Sequence, residues 1–157
     1  MATILKNLSE FDNKLLPTVA NKKFGIVYSE WNEKITKALL DGAINCLLGI
    51  GVSKKELKII AVPGTFELPL GAQKLAHNND IDAVICLGCV IQGETRHFDF
   101  ICQAAANGIM QVSLSTQKPI IFGVLTTDTM QQALDRAGGK MGNKGIEAAV
   151  TAIKMLS

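Results

Sequence analysis

The chain has 157 residues, 48% of them apolar and 19% charged, with a formal net charge of +2. That balance excludes a disordered polymer, and mixed signs without a long basic block give nucleic-acid binding no support. The length suits one domain over residues 1–157 with a core that buries about 70% of the unfolded surface, and the apolar surplus points to self-association.

The opening stretch "MATILKNLSEFDNK" is too polar for a secretory signal. No uncharged apolar run has membrane-spanning character; residues 101–117 lack charge but carry Gln, Asn, Ser and Thr. A soluble cytoplasmic protein is expected. Residues 1–22 read as an N-terminal arm in which "TILKNL" (3–8) is a candidate strand and 9–22 a loose connection. Apolar, branched runs follow at 24–29 (FGIVYS), 57–62 (LKIIAV), 82–91 (DAVICLGCVI) and 119–125 (PIIFGVL). Such continuous runs suit strands buried on both faces of a parallel sheet.

Helical spacing lies between and after them. Ile35, Leu39, Ala43 and Leu47 form one stripe, and Phe98, Ile101, Cys102, Ala105, Ile109 and Val112 a second. Met130, Ala133, Leu134 and Ala137 form a third, and Ile146, Ala149, Val150 and Ile153 belong to the last helix. Asn32 is placed to cap the first helix, Gly49 and Gly51 flank its end, and Asp128 with Gln131 resembles a capping box. Four alternations of strand and helix predict an α/β fold: an open, mainly parallel four-stranded sheet flanked by helices, with right-handed crossovers. Ligands of such sheets bind beyond the carboxyl ends of the strands.

The unusual chemistry of the chain falls at those ends. Trp31, the only tryptophan, is either a staple on the first turn of a helix or a plate for a planar heterocycle. Glu67, after "PGTF", either accepts hydrogen bonds from ligand hydroxyls or only favours a helix N-terminus. In "GETRH" (93–97) a glycine follows a strand and a helix begins, so free N–H groups are offered to an anion. Glu94 suits a phosphate only through its main chain, and an added cation would be needed. His97 is either a solvated first-turn residue beside Asp99 or a proton-transfer group, since imidazole exchanges protons near neutrality. His77 reads as a surface residue at a helix C-terminus. "RAGGKMGNKG" (136–145) reads as a roomy, flexible connection in which Arg136 and Lys140 either supply that cation or simply end a helix. The cysteines at 86 and 89 form a C-x-x-C inside an apolar run, with no second pair or histidine cluster, so they read as packing and no metal site is expected. Hydrolase elbows, P-loops and G-x-G-x-x-G turns are absent from the sequence.

Taken in order, "VYSEWN", "VPGTFELP", "LGCVIQGETRHFD", "PIIFGVLTTD" and "RAGGKMGNKG" resemble the lumazine synthase family over nearly the whole chain. The resemblance implies a flavodoxin-like three-layer fold and the condensation of 5-amino-6-(D-ribitylamino)uracil with 3,4-dihydroxy-2-butanone 4-phosphate. The products are 6,7-dimethyl-8-ribityllumazine, phosphate and water, and neither a metal nor an organic cofactor is expected. It implies that Trp31 stacks on the pyrimidine and that Thr65, Phe66 and Glu67 hold the ribityl chain. It places backbone atoms of Cys89, Val90 and Ile91, and Phe122 of a neighbouring subunit, at the ring. Main-chain N–H groups of Glu94 and Thr95 with Arg136 hold the phosphate, His97 transfers protons, and Lys140 is a nearby cation. It further implies pentamers sharing their active sites, an N-terminal strand added to the neighbour's sheet, and association with riboflavin synthase. The short "GGKMGNKG" connection resembles members that build a 60-subunit icosahedral shell. Two other readings fit the same residues: a paralogue that binds flavin or serves as a container, and a flavodoxin-like mononucleotide-binding module. The second of these leaves His97 and Arg136 without a task.

Overall fold

The computed structural model describes Phe11, residues 16–19 and residues 21–156. The candidate strand at 3–8 lies outside the described residues. The four apolar runs form strands β1 (Phe24–Ser29), β2 (Leu57–Val62), β3 (Ala83–Ile91) and β4 (Ile120–Thr127). All pair in parallel, in the order β2-β1-β3-β4, with Phe24 opposite Leu57 and Ala83, and Val84 opposite Ile120. Seven consecutive residues of β3 are buried, as a central strand covered on both faces requires.

Alternation along the strands divides the core into two. Phe24, Ile26, Ile85 and Leu87 face helices α1 (Glu33–Gly49) and α5 (Lys144–Met155), meeting Ile35, Leu39, Ala43, Leu47, Val150 and Ile153. Val27, Val84 and Cys86 face α2 (Leu68–Ala76) and α3 (His97–Thr116), meeting Leu68, Ala72, Leu75, Ile109 and Val112. Each fully buried Leu or Ile of these stripes contributes about 1.5–3 kcal/mol. The expected three-layer architecture is therefore present. The second layer is thinly used: only Ala105, Ile109 and Val112 of the twenty residues of α3 are buried, while Phe100, Met110 and Leu114 stand exposed.

The strands are fastened where they begin. Asp82 accepts hydrogen bonds from the backbone N–H of Lys23 (2.8 Å) and from Lys22 Nζ (3.2 Å). Lys118 Nζ donates to the carbonyls of Ala76 (2.8 Å) and Asn78 (2.9 Å), closing the C-terminus of α2.

Several local expectations are corrected. Asn32 precedes α1, but its side chain does not cap; its backbone is left-handed (φ 61°, ψ 44°) and only its carbonyl accepts from Ile35 and Thr36. Helix α4 (Met130–Asp135) is capped by Thr129, whose Oγ1 accepts from the N–H of Gln132 (3.2 Å), while Gln132 accepts from the N–H of Asp128 (2.8 Å). The box is shifted by one residue because β4 runs on to Thr127, which delays the first helical amides. Ala137 is consequently outside the helix, in β5 (Ala137–Gly139).

The stretch read as a roomy loop is a hairpin, β5 against β6 (Gly142–Asn143), with Gly138 (φ 109°) and Gly142 (φ 77°) in backbone regions that side chains disfavour. Asn143 ends it by accepting from the N–H groups of Gly145 (2.8 Å) and Ile146 (3.3 Å) and donating to Ala38 O (3.0 Å). There α5 presses on α1: a Cβ on Gly145 would stand 1.9 Å from the Leu39 carbonyl oxygen.

Candidate active site

Past the carboxyl ends of β1, β2 and β3 lies a cavity of about 750 Å³. The β2-β1-β3 order reverses direction there, which is where open α/β sheets leave a crevice. Each wall comes from one strand end. After β1 stand Trp31 and Asn32; after β2 the short turn Thr65–Glu67 with Gly64; from β3 come Cys89, Val90 and Ile91. Gly93, Thr95, His97, Phe98 and Ile101 close it from the start of α3.

Trp31 is 74% exposed and borders the cavity, so most of its ring is open to a ligand and little of it packs on the helix turn. Phe66 is also exposed, at 56%, on the facing turn. Two partly exposed aromatic side chains thus border the cavity, an arrangement that suits a planar ligand. Thr65 is buried, and its hydroxyl has no partner. The hydroxyl lies against Gly88 of β3 and not on the open surface of the cavity.

The "GETRH" turn is organised from below. The side-chain amide of Gln92 donates to the carbonyls of Gly93 (2.8 Å) and Thr95 (3.4 Å), and Thr95 Oγ1 accepts from the N–H of His97 (3.4 Å). The carbonyls are turned inward, and among the described residues the N–H groups of Glu94 and Thr95 make no backbone hydrogen bond in the turn. These two residues come just before Arg96, the N-cap of α3, where the helix dipole favours negative charge. His97 is exposed, with its ring free to meet a substrate. Arg96 pairs instead with Asp99 (3.6 Å) on the solvent side.

Four of the sequence-derived residues do not line this cavity: Glu94, Phe122, Arg136 and Lys140. Phe122 lies on β4, opposite Cys86, and is 41% exposed. Arg136 ends α4 and donates to Gln132 O (3.4 Å), and Lys140 bends back to Asp135 (3.1 Å). The Gln131 amide and Lys140 together hold the Asp135 carboxyl below its ordinary range. Next along the chain, Lys144 pairs with the buried Glu147.

The thiols are not poised for chemistry. Burial pushes Cys89 and Cys46 up to about 11 and Cys86 higher still; Cys102 is raised by burial and then by Asp99. A lowered value would mark a nucleophile, so Cys89 contributes shape and backbone to the cavity. No group of three or more His, Cys, Asp or Glu residues among those described could hold a metal ion.

Phe98, Ile101 and Gln92 were not singled out by the sequence as site residues. The first two are legible once His97 begins a helix, because positions one and four further on flank the same opening. Gln92 gives no such signal.

Sheet order and a cavity at the strand ends define an α/β protein of flavodoxin-like class. A family description of 6,7-dimethyl-8-ribityllumazine synthase matches residues 21–157. The chain is 59% identical over 157 residues to the 6,7-dimethyl-8-ribityllumazine synthase of Cytophaga hutchinsonii, covering 100% of this chain and 98% of that protein. It is 52% identical over 157 residues to the synthase of Parabacteroides distasonis, with 98% of that protein covered, and 52% identical over 155 residues to that of Porphyromonas gingivalis, with 96% covered. The chain belongs to the 6,7-dimethyl-8-ribityllumazine synthase family.

Proposed function

We propose that the strand-end cavity is where this chain carries out its family's reaction. That reaction is the condensation of 5-amino-6-(D-ribitylamino)uracil with 3,4-dihydroxy-2-butanone 4-phosphate, a transferase step of riboflavin biosynthesis. The observation that carries the site is the gathering of Trp31, Thr65, Phe66, Glu67, Cys89, Val90, Ile91, Thr95 and His97 around one opening. The uracil stacks on Trp31 and meets the backbone of Cys89, Val90 and Ile91. Thr65, Phe66 and Glu67 receive the ribityl chain, whose hydroxyls donate to the Glu67 carboxylate.

Phosphate binds to the free N–H groups of Glu94 and Thr95, where the helix start favours negative charge. Holding two reactants in register lowers the barrier chiefly by proximity, by up to roughly 7–11 kcal/mol in favourable systems. Attack of the amine on the ketone, loss of water and departure of phosphate each move a proton, and His97 stands next to the phosphate turn to move it. Phosphate leaves more readily as its charge is held by amides and a guanidinium.

That guanidinium, Arg136, is outside the cavity of its own subunit, as are Phe122 and Lys140. In the proposed assembly a neighbouring subunit of a homopentamer supplies them, so each active site is shared. Exposed apolar groups at three places support self-association: Ile59 on the open edge of β2, Phe122 on β4, and Phe100, Met110 and Leu114 on α3. The whole chain works as one domain. Twelve pentamers close into a shell, which associates with riboflavin synthase in the cytoplasm. No helix among the described residues is long and apolar enough to cross a membrane.

The decisive experiment is turnover with both purified substrates, following lumazine fluorescence and released phosphate, with and without chelator. Equal yields of both products, unchanged by chelator, support the reading. A folded, assembled protein that forms neither product would overturn it and favour a ring-binding paralogue.

A further inference from the structure

The side chain of Asn32 has a use that the cap expected from sequence does not explain. It reaches across from the end of β1 and donates from Nδ2 to the carbonyl of Cys89, 2.9 Å away. Tyr28, opposite Leu87, makes the last pair of β1 with β3. Beyond it the backbone of β1 turns to the other side, where the N–H groups of Glu30 and Trp31 donate to the carbonyls of Val62 (2.8 Å) and Pro63 (3.1 Å). The Asn32 amide therefore replaces the missing rung toward β3. Trp31 and Asn32 together join the ends of three strands, β2, β1 and β3.

Asn32 also occupies the left-handed region, which asparagine tolerates better than other residues with side chains. That conformation turns the chain so that the Trp31 ring stands out over the cavity while the next side chain points back to β3. A plate that is 74% exposed has almost no side-chain packing to hold it. Its position depends on its backbone, and two hydrogen bonds, Trp31 N–H to Pro63 and Asn32 Nδ2 to Cys89, fix that backbone from opposite sides. The tie also occupies one of the two acceptor positions of the Cys89 carbonyl at the β3 edge.

We infer that Asn32 is a positioning residue: it sets the distance between the Trp31 plate and the β3 edge, and with it the selection of a ring of one thickness and one hydrogen-bonding pattern. This inference rests on the reading of the cavity as the aminouracil site. Both of its elements act on that substrate and neither touches the phosphate turn.

The test uses the full-length assembled protein and two variants. Asn32→Gly keeps the left-handed backbone and deletes the tie; Asn32→Asp keeps the size but sets an acceptor against the Cys89 carbonyl. Ring binding is read by quenching of the single tryptophan, Trp31, as the aminouracil substrate is titrated alone. Both variants should weaken that binding about tenfold, the worth of one lost hydrogen bond in an ordered site. The KM for the aminouracil should rise in step, while that for the phosphorylated ketone stays within about twofold. A merely structural role would lower the melting temperature and move both KM values together, which would overturn the inference. Wild-type quenching and KM in Asn32→Gly would do so as well. If the wild-type protein itself shows no quenching by the substrate, the site reading falls, and this inference falls with it.

Discussion

At the scale of single residues, the site divides into groups that make the cavity and groups that act in it. His97 is exposed and supports no packing, so His97→Ala should slow turnover about a hundredfold while melting temperature and particle size stay unchanged. Wild-type rates in that variant would remove its role. The thiols predict an alkaline weakness. In Cys46 and Cys89 burial raises the folded-state value from 9.0 to about 11, so below pH 9 folded and unfolded chains are equally protonated there. Between pH 9 and 11 the unfolded chain loses those protons first, and stability falls as the pH rises. The urea midpoint should therefore drop from pH 8 to pH 10.5, and drop less in a Cys46→Ala/Cys89→Ala double variant, where other titrating groups remain. Trp31 and His97 stood out in the sequence as rare residue types at strand ends and Glu67 as a carboxylate after a tight turn, while their roles came only with the family resemblance. The exposure of Trp31, which no spacing reveals, weighs against its staple reading. The Asn32 tie was hidden for another reason: an asparagine before a helix looks like a cap, and its real partner lies 57 residues away.

At the scale of elements, the strands were the most legible part, although burial on both faces holds for β1 and β3 and not for β2, which lies at the sheet edge with no residue buried. The hairpin at β5 and β6 was the least legible. Two or three residues of pairing leave no pattern, and the glycines that permit the turn look like the glycines of a loop. Its consequence is rigidity where flexibility was expected: Asn143 pins the hairpin to both α1 and α5. The crossing of those helices yields a sharp contrast between two glycines. Gly145→Ala must displace the Leu39 carbonyl and should cost about 3 kcal/mol or more, seen as a large fall in melting temperature. Gly49→Ala, at a helix end with no heavy atom within 4 Å, should be neutral or add about 0.5–1 kcal/mol. Equal effects in thermal melts would mean that α1 and α5 do not cross as closely as described.

At the scale of the whole molecule, the proposed reading leaves a single subunit short of part of its site, because Arg136, Phe122 and Lys140 do not line the cavity. The cavity has Trp31, Thr95 and His97, whereas Arg136 and Phe122 lie on or beyond β4, away from it. Specific activity should therefore depend on assembly. Conditions that dissociate the particle, followed by light scattering, should abolish turnover before the circular dichroism of the folded subunit is lost. Full activity in the dissociated subunit would show that one chain suffices. Arg136→Ala should raise the KM for the phosphorylated ketone at least tenfold and leave that for the aminouracil near the wild-type value. The reverse pattern would move Arg136 from the phosphate to the ring.

The fastening of the strands at one end gives the subunit a mechanical polarity. Asp82 and Lys118 clamp the pole where the chains enter the sheet, and every ligand-facing turn belongs to the opposite pole. Backbone opening is thereby graded along each strand: the amides of Val84 to Leu87 lie deep in the clamped half, and those of Val90 to Thr95 at the free rim. Hydrogen exchange should be slowest at the first group and fastest at the second, with bound ligand slowing only the rim. Substrates can then enter and products leave through fluctuations of a few residues, while the hydrophobic layers beneath stay shut.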